Sequence, residues 1–181
     1  KSYALKSSKK YFLPDDSSLY KNFFIGENDE CRNLRKSIFC RMAGSKGGDS
    51  LMTDEALILQ AKDAMKNAYA PYSGFRVGAA LLAKDGALFK GCNVENASYG
   101  ATNCAERTAV FKAVSEGYRE FEKIAIVASS GDYASPCGIC RQVLAEFMPE
   151  GKVLLYSEEK GVVTYTVREL LPMGFRKEDI R

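Results

Sequence analysis

At 181 residues, with 46% hydrophobic content and a formal net charge of +3, the chain suits one soluble domain with a single core, long enough to bury about two-thirds of its unfolded surface. No apolar run approaches the roughly 20 residues of a membrane span, so no membrane is expected as a partner. The basic excess is confined to residues 1–50, with ten Lys/Arg against six Asp/Glu, while the remainder holds sixteen against seventeen; a neutral globular part excludes the basic stripe of a nucleic-acid-binding domain and favours a small, weakly charged substrate.

Lys1 to Arg41 mixes Lys, Ser, Asp and scattered aromatics without helical or strand period, and Gly44-Ser45-Lys46-Gly47-Gly48-Asp49-Ser50 reads as a flexible linker. Residues 1–50 are therefore expected to be an extension, disordered or flexible, and residues 51–181 the folded domain. The chain does not begin with methionine, and Met42 and Met52 are both plausible starts. Asp15, Asp16, Glu27, Asp29 and Glu30 count against an acid-poor transit peptide, which leaves the cytoplasm favoured over an organelle.

From Thr53 the pattern turns regular. Thr53 serves as N-cap, Asp54 and Glu55 occupy the first turn, and Leu57, Ile58, Ala61, Ala64, Met65 and Ala68 share a face of a helix that ends before Pro71. Val77 to Ala83 and Ala87 to Gly91 read as two strands around a Lys84-Asp85-Gly86 turn. A helix over 104–115, a strand over 124–128, a helix over 136–147 with Pro136 at its first position, and strands over 153–156 and 162–166 follow. Strands alternating with helices predict an α/β fold, a three-layer α/β/α sandwich with a mixed sheet of roughly five strands, antiparallel in the hairpin and parallel at the crossovers.

The chain has six cysteines and no histidine. With no secretory signal and a Cys-x-x-Cys at a helix start, a reducing compartment is expected. Cys31 and Cys40 read as free thiols, and Cys92 as a buried strand cysteine rather than a metal ligand. Cys104, Cys137 and Cys140 fall at helix N-termini, where unpaired N–H groups and the positive dipole end favour thiolate. Any transition-metal site here must use sulfur and carboxylate; a zinc ion held by three protein ligands keeps a position open for water, and Glu106, two residues from Cys104, suits a proton shuttle. Three thiolates leave such a site with an excess negative charge, which Arg107 and Arg141 are placed to offset by donating to sulfur; both also read as ordinary surface charges. Cys137-Gly138-Ile139-Cys140 alone is equally a thiol-disulfide motif or part of a structural zinc knuckle. Neither needs a glutamate beside a separate helix-terminal cysteine, whereas zinc deaminases do.

From about Tyr69 to Phe175 the chain resembles cytidine deaminases of the small, all-cysteine-ligand type. The resemblance is carried by Ala70-Pro71-Tyr72-Ser73, Phe75, Val77-Gly78-Ala79-Ala80, Gly91-Cys92-Asn93-Val94-Glu95-Asn96-Ala97-Ser98-Tyr99, Cys104-Ala105-Glu106-Arg107-Thr108-Ala109, Ser135-Pro136-Cys137-Gly138-Ile139-Cys140-Arg141-Gln142 and Leu170-Leu171-Pro172. It implies a cytidine deaminase-like catalytic domain over 51–181 and one Zn2+ per subunit on Cys104, Cys137 and Cys140, with Glu106 as catalytic proton carrier. It implies further that Asn93 and Glu95 hold the sugar hydroxyls, that Phe75 lines the base pocket, and that Ala97, Tyr99 and Phe175 reach a neighbour's site in a homotetramer. The implied activity is hydrolytic deamination of free cytidine and deoxycytidine to uridine and deoxyuridine, a step of pyrimidine salvage. Blasticidin-type deaminases, polynucleotide deaminases, a zinc scaffold and a thiol-disulfide oxidoreductase are the rival readings. Asn93-Val94-Glu95-Asn96 tells against the blasticidin type and the absence of histidine against the polynucleotide type. A scaffold predicts a closed zinc shell and binding that weakens steeply with salt, and redox exchange, unlike zinc catalysis, would tolerate loss of Cys104.

Overall fold

The computed structural model describes residues 52–180; the expected extension of residues 1–50, with its linker, Cys31 and Cys40, lies outside the described residues. Helix α1, Asp54–Met65, starts where the Thr53 hydroxyl accepts the Ala56 N–H at 3.2 Å, and its acids sit in the first turn, as the sequence predicts. Leu57, Ile58 and Ala61 pack with Ala80, Leu82, Ala125, Val127 and Leu154 on one face of the sheet.

Strands β1, Val77–Ala83, and β2, Leu88–Cys92, form the expected hairpin, with β2 one residue later than predicted. Gly86 turns the chain at φ +89, a conformation favourable to glycine. Helix α2, Ala105–Ser115, leads to β3, Phe121–Ala128, which begins three residues before the predicted apolar run because Phe121 pairs with Ala83 across an irregularity in the ladder. Helix α3, Gly138–Phe147, is followed by β4, Lys152–Ser157, and β5, Gly161–Thr166. Pro136 does not take the first helical position predicted for it. Cys137 is the N-cap, extended at φ −66 and ψ 167, and the helix begins after it. The short helix α4, Val167–Leu170, was not predicted; Thr166 and Glu169 close a reciprocal capping box around its start.

The strand order is β2-β1-β3-β4-β5. Because β2 and β3 both run antiparallel to β1, they are parallel to each other, and the α2 crossover passes over β1; the α3 crossover joins the adjacent parallel pair β3 and β4. Both α2 and α3 lie opposite α1, where Ala105, Ala109, Val110 and Leu144 pack with Leu81, Ile124, Ile126 and Val153. One face thus carries a single helix and the other carries the two helices whose N-termini bear the cysteine motifs.

Gly91 sets the seat of the first of those helix ends. A Cβ there would stand 2.4 Å from both the Ala105 carbonyl oxygen and the Ala109 backbone nitrogen, so only glycine lets β2 approach the first turn of α2. Gly91→Ala is expected to lower stability by about 1–3 kcal/mol through overpacking. Chemical denaturation measures this, and an unchanged midpoint would show that α2 is free to move outward.

Candidate active site

Cys104 is the N-cap of α2 and Cys137 the N-cap of α3, and neither side chain bonds to its own helix backbone, which leaves both sulfurs to face outward from the helix ends. Cys140, one turn further along α3, is fully buried. The three Sγ atoms lie within 4.8 Å of one another, with Cys104 and Cys137 at 3.8 Å. Ligands about 2.3 Å from one tetrahedral ion stand about 3.8 Å apart, so this spacing suits one ion.

The electrostatics make the same demand. Cys104 is held down at about 5, first by the neighbouring Cys140 thiol and then by Arg107, although burial opposes this. Cys140 is pushed up by the adjacent Cys104 sulfur and by its own burial. Glu106, at 6% exposure, is pushed up by burial, to which the Cys104 thiolate adds. Three thiolates in one cluster would suit a soft divalent ion, zinc above all.

Arg107 donates through Nη2 to the Cys104 sulfur at 3.4 Å and to the Thr102 carbonyl at 3.2 Å, the contact expected of it. Its buried Nε has no partner among the described residues. Arg141 differs from expectation. It donates to the Pro136 carbonyl at 2.8 Å, the Leu170 carbonyl at 3.0 Å and the Ser135 hydroxyl at 2.9 Å, but to no sulfur. One residue past Cys140 is about 100° further round the helix, which turns this side chain toward α4; there it braces the loop entering Cys137.

A cavity of about 170 Å³ opens onto the cluster, with Phe75, Asn93, Cys104, Glu106, Ala134 and Cys137 among its walls. Asn93 is buried and bonds at both ends of its amide: Oδ1 accepts the Val77 N–H and Nδ2 donates to the Phe75 carbonyl, each at 2.8 Å. It thus fixes the segment leading from Phe75 into β1 and keeps a second lone pair and a second N–H for a ligand. Glu95 borders an adjoining cavity of about 350 Å³ with Tyr72, Ser73, Tyr99 and Thr102, and Thr102 lines both spaces. The Ser73 hydroxyl and the Tyr72 and Ser73 backbone N–H groups hold the Glu95 carboxyl below its usual range.

Tyr99, Phe175 and Ala97 are exposed. The Tyr99 ring meets Tyr72 edge to face at 5.9 Å, and the Phe175 carbonyl accepts from Gln142 Nε2 at 2.7 Å. Cys92 ends β2, half-buried and outside the three-sulfur cluster. Thr102, Ala134 and Ser73 are lining residues that sequence reasoning gave no role. Only Ser73 carried a local signal, as a serine two residues before a turn-exit position, where its Oγ accepts the Phe75 N–H at 3.0 Å.

Sulfur ligands at two helix ends and a buried carboxylate beside a small cavity make up the apparatus of a zinc-dependent hydrolytic deaminase. A family model described as the cytidine and deoxycytidylate deaminase zinc-binding region matches residues 51–156. Cytidine deaminases from Sporosarcina psychrophila and Halalkalibacterium halodurans are 52% and 53% identical over 130 residues; each alignment takes in 71% of this chain, and 96% and 98% of the respective relative. A crystal structure of cytidine deaminase from Burkholderia pseudomallei superposes with a TM-score of 0.66 at 52% identity, covering 68% of this chain and all of that one. The chain belongs to the cytidine and deoxycytidylate deaminase family and is a hydrolytic deaminase.

Proposed function

We propose that this protein hydrolyses free cytidine and deoxycytidine to uridine and deoxyuridine with release of ammonia, as a step of pyrimidine salvage in the cytoplasm. The carrying observation is the buried Glu106 carboxylate beside three converging sulfurs at the wall of a ring-sized cavity. Residues 51–181 are the catalytic domain, and residues 1–50 are an extension whose sequence carries no motif for the chemistry.

Cys104, Cys137 and Cys140 would hold one Zn2+ per subunit. Such an ion would supply Lewis acidity that makes water a nucleophile near neutral pH. Phe75 offers its ring to the base, and Asn93 and Glu95 offer an amide and a carboxylate to the sugar hydroxyls. Glu106 accepts a proton from the attacking water, delivers it to the ring nitrogen next to the reacting carbon, and carries the water's second proton to the departing amine. The balance is one water in and one ammonia out. Arg107 holds the Cys104 sulfur and offsets its charge, and Arg141 steadies the Cys137 loop. In the proposed homotetramer, Ala97, Tyr99 and Phe175, all exposed on the single chain, would reach a neighbouring site.

Loss of the cytidine ultraviolet band, with zinc content measured on the same sample, tests the reading. Conversion of both nucleosides supports it, whereas zinc without turnover of either points to another deaminase substrate. Repeating the assay across enzyme dilutions should show specific activity falling below the assembly constant; full turnover by isolated monomers would rule out shared sites.

A further inference from the structure

Resting on the nucleoside reading above, we propose that Ser73 is a positioning residue for sugar recognition: its hydroxyl aims the Glu95 carboxylate into the cavity beside the cluster. The arrangement follows from what one hydroxyl is able to do. Ser73 Oγ accepts the Phe75 N–H at 3.0 Å and donates its single hydrogen to Glu95 Oε1. With the Phe75 N–H occupying a lone pair, that hydrogen is directed at the carboxylate. Glu95 Oε2 accepts the Tyr72 N–H at 2.9 Å and the Ser73 N–H at 3.2 Å, so the carboxylate is gripped at both oxygens by one turn.

The turn stands between the two halves of the site. Phe75, two residues on, lines the cavity over Cys104 and Glu106, while Ser73 and Glu95 line the adjoining cavity. Glu95 follows the end of β2 by three residues and is half-buried, and among the described residues its carboxylate is bonded by this turn alone. An ionised carboxylate is an acceptor only, with about four lone-pair sites; the turn takes three of them, so one on Oε1 stays free for a sugar hydroxyl. Removal of the Ser73 hydroxyl therefore releases Oε1 while the Tyr72 and Ser73 N–H groups still hold Oε2, and it touches neither Glu106 nor the sulfurs. The expected cost falls on binding, since the group being aimed contacts a part of the ligand that does not react.

The test compares wild type, Ser73→Ala and Ser73→Thr with zinc content matched. Ser73→Ala is expected to raise KM for cytidine about fivefold, the effect of one hydrogen bond at an exposed site, with kcat within about twofold. The Ki of uridine as competitive inhibitor should rise by the same factor, and the Ki of 2′,3′-dideoxyuridine, which lacks both hydroxyls, should stay unchanged. Ser73→Thr keeps the hydroxyl and should restore wild-type KM. An equal rise for both inhibitors, a loss confined to kcat, or unchanged KM in Ser73→Ala would overturn the assignment. Absence of cytidine turnover in zinc-loaded wild type would instead remove the nucleoside reading, and this inference with it.

Discussion

Glu106→Gln should retain its zinc and lose about three orders of magnitude in kcat on cytidine. The amide occupies nearly the same volume as the carboxyl, and the cavity wall formed by Phe75, Asn93 and Ala134 should keep its shape around it. Metal is retained because the sulfur cluster does not use this side chain. What is lost is a group able to take a proton from water and give it up again, to the ring nitrogen and then to the amine; positioned proton transfer of this kind contributes about 10²- to 10⁴-fold per step. Folding should not suffer. The carboxylate is buried beside the Cys104 thiolate, an arrangement in which both burial and charge disfavour its ionised form, and a neutral amide removes that conflict. Steady-state kinetics, metal analysis and thermal melting on one preparation separate the outcomes. A variant within tenfold of wild type, with zinc intact, would mean that another group moves the protons.

The readability of this site in the sequence varied with how local its causes were. Cys104, Glu106, Cys137 and Cys140 were legible because helix starts, ligand spacing and the missing histidine are all written within a few neighbouring residues, and α2 and α3 then carry them to one face of the sheet. Strand β1 was legible to its ends because its run of buried apolar residues stops at a turn with glycine. The start of β3 was not, since Phe121 joins the sheet only through its pairing with Ala83, some forty residues away in the chain. Arg141 shows the same limit. Adjacency to Cys140 suggested a bond to sulfur, but its direction is set by the packing of α3 against α4, an element of four residues whose capping box gives it little periodic signal. Ser73 was passed over for a related reason: its hydroxyl matters through Glu95, 22 residues on, which sequence spacing does not bring together.

Cys104→Ala should abolish both zinc retention and deamination, and it discriminates between the chemistries that a Cys-x-x-Cys permits. A thiol-disulfide exchanger built on Cys137 and Cys140 would survive the loss of a sulfur from a different helix, because the attacking and resolving thiols both remain on α3. A three-sulfur metal site would not. Loss of an outer-shell partner alone lowers metal affinity by about 10- to 100-fold, so loss of a ligand that stands 3.8 Å from its neighbour should exceed the upper end of that range. The linkage gives a second readout that is independent of turnover. An ion that binds the folded form a thousand times above its dissociation constant stabilises it by about 4 kcal/mol, so wild type should melt lower in the presence of a chelator. Cys104→Ala should melt at the chelated wild-type temperature with or without chelator. If it keeps its zinc and melts like holo wild type, Cys104 is not a ligand and the α2 terminus lies outside the metal site; if it loses zinc yet exchanges disulfides, the Cys137 pair has a chemistry of its own.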